Sequence, residues 1–389
     1  MMHFFTRSTA RIIIIISLVG LFFYTFRLHD TQLFINDTAR DTLRALRIWQ
    51  GREITLIGAS ASFSEKTARE IYFGSAYLYT AIAGMLVSGF SPLGAVLPNT
   101  FLLTFSIPIF YLLAKRISKD KFFLLFSTAL FALSPVTVTH ARFFWNPNLL
   151  IPISVFFWYL ALSPKDTKHF SLKLLTSGVL AGLMFNFHYF ALIPIFLFCI
   201  YLLISRKFDH LLYLGFGFFL GSLPLIIFEL RNNFYLTNAF IYNFSLGIRG
   251  LSHSLGFYLD GLLRVFLSVV GLSHGEIAFP IFETGQVFRL VSGTVFFVLS
   301  ILYFLKKRRQ ANLYWLWLSL FPTIIFTLYT SSYDLYLRYL FPVFPLLILF
   351  IAAIFSELKF SYLSLIFFIP ILFSDFAIIT KKITLQDDF

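Results

Sequence analysis

Long apolar runs separated by short basic turns dominate the chain. Eleven of these runs approach the roughly 20 apolar residues that a helix needs to cross the hydrocarbon core of a membrane. They lie at residues 12–26, 94–114, 122–139, 148–162, 171–187, 189–204, 211–228, 288–305, 312–330, 339–355 and 361–379. No segment alternates apolar and polar residues in the manner of an outer-membrane barrel strand. The pattern predicts an all-α fold, a polytopic membrane helical bundle.

Composition supports the same class. Apolar residues make up 58% of the 389, and the charged fraction of 13% is about half of the roughly 25% that soluble domains carry. The single cysteine, Cys199, lies in an apolar run, so neither a disulfide framework nor a thiolate metal site is available. Helix packing alone is therefore expected to hold the fold.

The basic clusters indicate which ends of the helices face the cytoplasm. They occupy short turns at 115–121, 164–173, 205–207 and 306–309, and short basic turns belong inside. Counting 75–90 as a further span would place the first cluster outside, so we interpret that segment as an interfacial or re-entrant helix. The cytoplasmic side then holds 16 Lys or Arg against 4 Asp or Glu, and the outer side holds 15 against 14. The net charge of +13 thus reflects topology and attraction to anionic lipid, not nucleic-acid binding.

This topology places the amino end in the cytoplasm and the carboxyl end outside. Arg7 and Arg11 precede the first apolar run, and no small-residue cleavage site follows it, so a retained first helix is expected rather than a signal peptide. Two outer loops are long, at 28–93 and 229–287, and long loops commonly carry function. We find no internal repeat and no soluble domain, which predicts a single transmembrane domain over 1–389.

The first outer loop opens with FINDTARDTLRALRIWQG, which has the spacing of an amphipathic helix on the outer leaflet. Asp37 and Asp41 are four residues apart and share a helix face with Arg44. A purely structural account is open at this point, in which Asp37 favours the helix dipole and Asp41 pairs with Arg44. The alternative is that the two carboxylates perform chemistry at the edge of the membrane.

Three outer turns carry further polar residues. THARFFWNPNLLIP contains Arg142, a cation outside the basic side that a phosphate would suit, and Asn146, which a role in capping the next helix would also explain. His188 lies between two spans, without a second His or Cys at zinc-ligand spacing. Arg338 lies just above a span, where it either binds phosphate or pairs locally with Asp334.

Taken together, these segments resemble a known family. DTARD at 37–41, LIGASASFSEKTAREIYFGSAYLY at 56–79, ARFFWNPNLLIP at 141–152, NFHY at 186–189 and LRYLFPVFPL at 337–346 are similar in kind and order to GT-C membrane glycosyltransferases. The nearest branch resembles the prokaryotic relatives of protein O-mannosyltransferases and lipid A aminoarabinose transferases. The likeness spans nearly the whole chain. One departure is Thr38, since many relatives have an Asp-Glu pair where this chain has Asp37 and Thr38.

The resemblance implies a multi-pass protein of the prokaryotic inner membrane that takes a polyprenyl-phosphate sugar and transfers it, with inversion, to a lipid, glycan or protein hydroxyl on the extracytoplasmic side. It implies Asp37 as the general base, with Asp41 as a second carboxylate that orients the acceptor or helps to hold a divalent cation. Some GT-C enzymes use such a metal and others do not, so the sequence leaves it open. The substrate-binding residues that it implies are Arg338, Arg142, His188, Arg69, Tyr72, Tyr77 and Asn146.

A transporter or flippase for a lipid-linked saccharide is the alternative, because it too would need cations that face lipid phosphate. Charge is sparse within the spans and clusters at one face, whereas transporters place their sites near the midplane and often contain repeats. This distribution favours the enzyme.

Overall fold

The structure is a computed structural model that describes most of the chain. The described residues are 7–32, 34, 36–61, 64, 67–164, 169–245, 264–271, 298, 323–324, 337–357 and 361–380. Two predicted spans, 288–305 and 312–330, fall outside these residues apart from positions 298 and 323–324. Most of the predicted second outer loop also falls outside them.

The described residues from Arg7 to Ala161 contain eight α-helices and two short strands. These are α1 (Arg7–Thr25), α2 (Leu28–Thr31), α3 (Asn36–Gly51), β1 (Ile57–Ser60), β2 (Tyr72–Gly74), α4 (Ala76–Val87), α5 (Leu97–Ala114), α6 (Lys121–Leu133), α7 (Pro135–Ala141) and α8 (Leu150–Ala161). The remaining α-helices are α9 (Phe170–Phe187), α10 (Leu192–Ile204), α11 (Phe208–Gly221), α12 (Leu223–Arg231), α13 (Tyr235–Ser245), α14 (Phe344–Ser356) and α15 (Phe368–Thr380). Short 3₁₀ turns at Pro92–Ala95, Asn146–Leu149, Tyr189–Ala191, Leu337–Val343 and Ser361–Phe367 precede α5, α8, α10, α14 and α15.

The number of spans can be compared with the sequence only where the structure describes the chain. There, four helices are long and apolar enough to cross a membrane, and six if the bent pairs α6–α7 and α11–α12 each count as one. This confirms a multi-pass helical protein, and the total of eleven spans stays a prediction. Helix α4 has 12 residues, a length of about 18 Å, which is short of a 30 Å hydrocarbon core and agrees with an interfacial or re-entrant helix.

The chain divides into two compact units. Unit 1 contains Met1–Leu33, Asn99–Phe143 and His253–Phe389, and unit 2 contains Phe34–Pro98 and Phe144–Ser252. Helices α1, α2, α6, α7, α14 and α15 belong to unit 1, as does most of α5. Helix α3, both strands, α4 and α8–α13 belong to unit 2.

Unit 1 is built around α14. Every residue of α14 from Phe344 to Phe355 is buried, which is the behaviour of a helix that is apolar on all sides and surrounded by others. Aromatic rings fill the space next to it, with Phe131 6.4 Å from Phe344 and Phe126 5.9 Å from Phe355 between ring centroids. Helix α1, in contrast, exposes a row of Ile and Leu side chains, as expected of a helix that contacts lipid.

Unit 2 is held by close packing of α9 on α11. Four glycines, Gly178 and Gly182 on α9 with Gly217 and Gly221 on α11, bring the two backbones into contact. A Cβ atom added at Gly217 would lie 2.9 Å from both Gly178 Cα and Val179 N, too close for any side chain. Each pair has the four-residue spacing that lets membrane helices approach closely, so this contact depends on the missing side chains.

Unit 2 also contains the only sheet among the described residues. Strands β1 and β2 pair antiparallel with Ile57 opposite Gly74. Helix α13 packs on this hairpin through Ala239, which shares a small apolar cluster with Ile71 and Phe73. The carboxylate of Glu229 accepts the backbone N–H of Leu236 at 2.6 Å and so fixes the start of α13. The sequence did not predict the strands, because four and three residues are too few to show an alternating pattern.

Candidate functional site

Helix α3 is amphipathic, as the sequence predicted, and its register separates the two carboxylates. Its buried residues, Thr38, Asp41, Thr42, Ala45 and Ile48, recur at helical spacing and form one stripe. Asp41 belongs to this stripe and its side chain has no exposure, whereas 39% of the Asp37 side chain is exposed. Leu43, on the opposite side of the helix, is half-exposed. Only one of the two acids is therefore open to a ligand.

Arg40 joins the two acids. Its Nη1 lies 2.9 Å from Asp37 Oδ1, and its Nε donates to Asp41 Oδ1 at 2.9 Å. We call these residues the Asp37–Arg40–Asp41 triad. The pairing of Asp41 with Arg44 that helical spacing suggested is wrong, because the Arg44 guanidinium points to the strand β1 instead. It donates to the carbonyl oxygens of Gly58 at 2.6 Å and Ile57 at 3.2 Å.

The environment of the triad shifts the proton affinities of its buried members. Burial raises the pKa of the Asp41 carboxyl above its ordinary value, and the Arg40 guanidinium offsets this only in part. Burial by itself would lower the pKa of Arg40, but the hydrogen bond to Asp41 and the charges of both acids raise it. Arg40 is therefore a permanent cation that the two carboxylates hold in place.

Tyr77 closes the buried side of the triad. Its ring has no exposure, and its hydroxyl accepts the Ala59 N–H at 3.0 Å, which ties α4 to β1. Burial raises the pKa of Tyr77, and the neighbouring Asp41 charge raises it further. Tyr77, which the resemblance implied as a substrate-binding residue, is thus placed next to Asp41 and away from solvent.

The turn that follows Phe143 connects helix α3 to two of the expected binding residues, Asn146 and His188. Thr38 on α3 donates its hydroxyl to the carbonyl oxygen of Phe144 at 2.8 Å, and Asn146 donates its amide to the carbonyl oxygen of Phe187 at 2.7 Å. Asn146 therefore does not cap α8 with its side chain, contrary to the structural account in the sequence. The turn instead connects the triad helix to the residue that precedes His188.

His188 is buried at the start of the turn into α10. Its Nδ1 accepts the Phe190 N–H at 3.3 Å, which in the neutral ring leaves the proton on Nε2, and its ring lies 5.0 Å from that of Phe73. Its exposed fraction of 7% leaves little surface for a ligand.

Tyr72 and Arg69 lie beside α13 in unit 2. Tyr72 stacks on Tyr235 with ring centroids 6.4 Å apart, and burial together with nearby Glu70 raises the pKa of its hydroxyl. Arg69 is exposed and lies over the ring of Tyr242 at 5.5 Å. Both side chains are thus occupied with residues of α13.

Unit 1 contains the other two expected cations. Arg142 is 1% exposed, and its guanidinium donates to the carbonyl oxygens of Phe23 at 2.6 Å and Phe26 at 3.0 Å, and to the Thr31 hydroxyl. Burial lowers the pKa of Arg142 to about 10, so the group stays charged at neutral pH. These hydrogen bonds cap the carboxyl end of α1 and account for the cation without a phosphate.

Arg338 lies in the 3₁₀ turn that precedes α14. Its guanidinium carbon is 5.4 Å from the ring of Tyr339, and Asp334, its proposed local partner, lies outside the described residues. Of the nine expected site residues, this one and Arg142 belong to unit 1, and the other seven belong to unit 2.

The triad does not fit a shared divalent ion. Among the residues that the structure describes, no three His, Cys, Asp or Glu side chains form a group that could hold a metal. The Arg40 guanidinium occupies the position between Asp37 and Asp41 that a bridging ion would take. A divalent ion needs several oxygen ligands and no neighbouring cation, so these two carboxylates by themselves do not make such a site.

Sequence reasoning did not assign the structural roles of three residues that build the site. Arg40 is the bridge of the triad, Thr38 fixes α3 to the turn at Phe144, and Arg44 fixes it to β1. Arg40 had a signal in the sequence, since it is three residues after Asp37 and adjacent to Asp41. Thr38 had none, because a hydroxyl that bonds to a distant carbonyl leaves no local pattern.

Comparison with known proteins identifies the fold. Neither the family models nor the curated proteins give a match. Among solved structures, ArnT from Cupriavidus metallidurans in the apo state matches with a TM-score of 0.61 and 13% identity, over 90% of this chain and 60% of that chain. The same protein bound to undecaprenyl phosphate matches with a TM-score of 0.59 and 14% identity, over 92% of this chain and 63% of that one. The fold is ArnT-like.

This result confirms the GT-C-like membrane fold that the sequence resemblance predicted. An ArnT-like chain trace over nine tenths of the chain at 13% identity shows shared architecture, and the chain spans less than two thirds of the length of the ArnT chains. What ArnT binds therefore bears on this chain as a basis for proposals.

Proposed function

We propose that this protein is a glycosyltransferase that moves a sugar from a polyprenyl-phosphate donor to an acceptor hydroxyl at the extracytoplasmic face of the membrane. The observation that carries the proposal is a half-exposed carboxylate, Asp37, which is paired with a cation on helix α3, shortly after the first apolar helix of an ArnT-like fold. The crystal structure of ArnT with undecaprenyl phosphate supports the class of donor.

The proposed reaction is a single displacement with inversion. The acceptor oxygen attacks the anomeric carbon of the sugar, and the bond from that carbon to the phosphate oxygen breaks with its electron pair. Asp37 takes the proton of the acceptor hydroxyl, and the polyprenyl phosphate leaves with the added negative charge. Cations near the leaving phosphate stabilise this charge, a role for which Arg338 is the first candidate because a guanidinium binds phosphate through two hydrogen bonds.

The proposal predicts release of lipid phosphate from the correct donor. Purified protein in lipid vesicles, incubated with a panel of polyprenyl-phosphate sugars and with lipid, glycan and peptide acceptors, is expected to release polyprenyl phosphate for one donor class. Thin-layer or mass-spectrometric detection of the released lipid measures this. If no donor and acceptor pair released polyprenyl phosphate, the proposed function would be contradicted.

Orientation in the membrane is a second prediction. A cysteine placed in the turn that follows α5, by Ser118→Cys in a Cys199→Ala background, is expected to resist a membrane-impermeant thiol reagent in intact cells. Ile54→Cys in the first outer loop is the matched control, since Ile54 is 85% exposed and is expected to react. Labelling of the cysteine at 118 from outside would contradict the eleven-span topology. If Ile54→Cys also reacted, residues 75–90 would be a further span, and if Ile54→Cys did not react, the triad would face the cytoplasm.

A further inference from the structure

We infer that Arg40 and Asp41 are positioning residues: buried Asp41 fixes the guanidinium of Arg40, and Arg40 holds Asp37 in the orientation that its reaction needs. The inference rests on the proposed function and narrows it, because the family resemblance gave Asp41 a direct role with the acceptor or a metal. The structure provides three independent observations for it.

The first observation is that a substrate does not reach Asp41. The carboxyl group has no exposure, one of its oxygens accepts a hydrogen bond from Arg40 Nε, and the other oxygen is buried. Tyr77 on α4 lies next to this carboxyl group, which belongs to the buried stripe of α3. A group that accepts a proton from a substrate must come within hydrogen-bonding distance of it, and Asp41 is on the wrong side of its helix for that.

The second observation is the geometry of Arg40. It uses two different nitrogens for its two acids, Nε toward Asp41 and Nη1 toward Asp37, each at 2.9 Å. Because a guanidinium is planar and rigid, fixing Nε against an immobile carboxylate also fixes the direction of Nη1. The contact with Asp41 thereby orients the group that holds Asp37.

The third observation is the anchoring of the helix itself. Thr38 bonds to the Phe144 carbonyl, and Arg44 bonds to the carbonyls of β1. With α3 fixed at both of these points, Asp41 cannot relax away from Arg40. The side chains of Asp37 and Arg40, which are 39% and 42% exposed, are the parts of the triad that could still change rotamer. The ion pairs of the triad restrict this rotation.

A double-mutant cycle in the transferase assay tests the inference. Arg40→Gln is expected to lower kcat about 100-fold with little change in the KM for the donor, the size of loss that misplacing a reacting group by an ångström produces. Asp41→Asn keeps an oxygen for Arg40 Nε and is expected to retain kcat within about tenfold, whereas Asp41→Ala removes that oxygen and is expected to approach Arg40→Gln. Adding Asp41→Ala to Arg40→Gln is expected to cost nothing further.

The control is Arg47→Gln. Arg47 is an exposed cation on the same helix and forms no ion pair within the described part of the chain, so its loss is expected to leave kcat unchanged. If the fold-reductions in kcat caused by Arg40→Gln and by Asp41→Ala multiplied in the double variant, the inference would be overturned. So would an Asp41→Asn variant as inactive as Asp37→Asn, since that would give Asp41 its own chemical role.

Thermal denaturation of the same variants separates this inference from the proposed function. The melting temperature is expected to fall in Arg40→Gln and in Asp41→Ala, and to fall no further in the double variant, because each change breaks the same ion pair. This result is expected even if no donor in the panel reacts. Additive losses of melting temperature would overturn the positioning role, whereas a silent donor panel with non-additive losses would overturn only the proposed reaction.

Discussion

Replacing Asp37 by Asn is expected to lower the rate of sugar transfer by about 10² to 10⁴, the contribution that a well-placed general base makes. The amide is the same size and still accepts a hydrogen bond from Arg40, but it cannot take a proton from the acceptor hydroxyl. The KM for the donor is expected to change little, because donor binding depends on the lipid and its phosphate. Steady-state assays of released polyprenyl phosphate measure both quantities.

Asp30→Asn is the matched control for this prediction. Asp30 is a half-exposed acid that also pairs with an arginine, Arg27, but it lies on α2 and outside the triad. Its replacement is expected to leave transfer unchanged. If Asp37→Asn retained full transfer, Asp37 would not be the base; if the protein moved lipid-linked saccharides across vesicles and this variant did so equally well, the transporter alternative would be favoured.

Replacing Gly217 by Val is expected to destabilise unit 2 by on the order of 3 kcal/mol. The new Cβ would meet backbone atoms of α9, at 2.9 Å from Gly178 Cα and closer still to the Leu175 carbonyl oxygen. Backbone atoms of a packed helix cannot rotate away as a side chain can, so α9 and α11 would have to separate along their length. The loss is measured as a lower melting temperature of the solubilised protein.

Gly215→Val provides the control on the same helix. Gly215 is two residues away, and a Cβ added there meets no atom within 4 Å, so the Val side chain is expected to point into lipid at little cost. Equal destabilisation by the two variants would mean that β-branching in α11, and not the contact with α9, is responsible.

The apolar pattern predicted most of the described helices because nearly every residue of a membrane span must be apolar. The runs at 94–114, 171–187 and 339–355 correspond closely to α5, α9 and α14 with their turns. The breaks within spans were harder to predict from the sequence. Helices α6 and α7 bend by 42° at Pro135, where the sequence showed only one continuous apolar run.

The candidate site was predictable in its residues but not in its pairings. Helical spacing placed Asp37, Asp41 and Arg44 on one face. The same spacing allows either Arg40 or Arg44 to pair with an acid, so it does not decide the pairing. Tertiary contacts made that choice, since the carbonyls of β1 hold Arg44 and leave Arg40 for both carboxylates. The strand that does this is too short to be recognised from its sequence.

The partners of Arg142 could not be predicted from the sequence. Its position in a turn predicted to lie outside suggested a phosphate partner, because a cation away from the basic side needs a partner. The structure supplies partners that carry no sequence signal, the backbone carbonyls at the end of α1. Helix ends always present such free carbonyls, so they compete with ligands for any buried arginine.

The exposed apolar side chains of α3 have a consequence for how the protein tolerates different bilayers. Leu43 is 52% exposed, and Trp49, 46% exposed, lies beside Phe90 with ring centroids 6.0 Å apart. Side chains of this kind settle at the boundary between head groups and acyl chains. We therefore expect the height of Asp37 to follow the head-group layer, so that thinning or thickening of the bilayer tilts the spans while the carboxylate stays level with lipid phosphates.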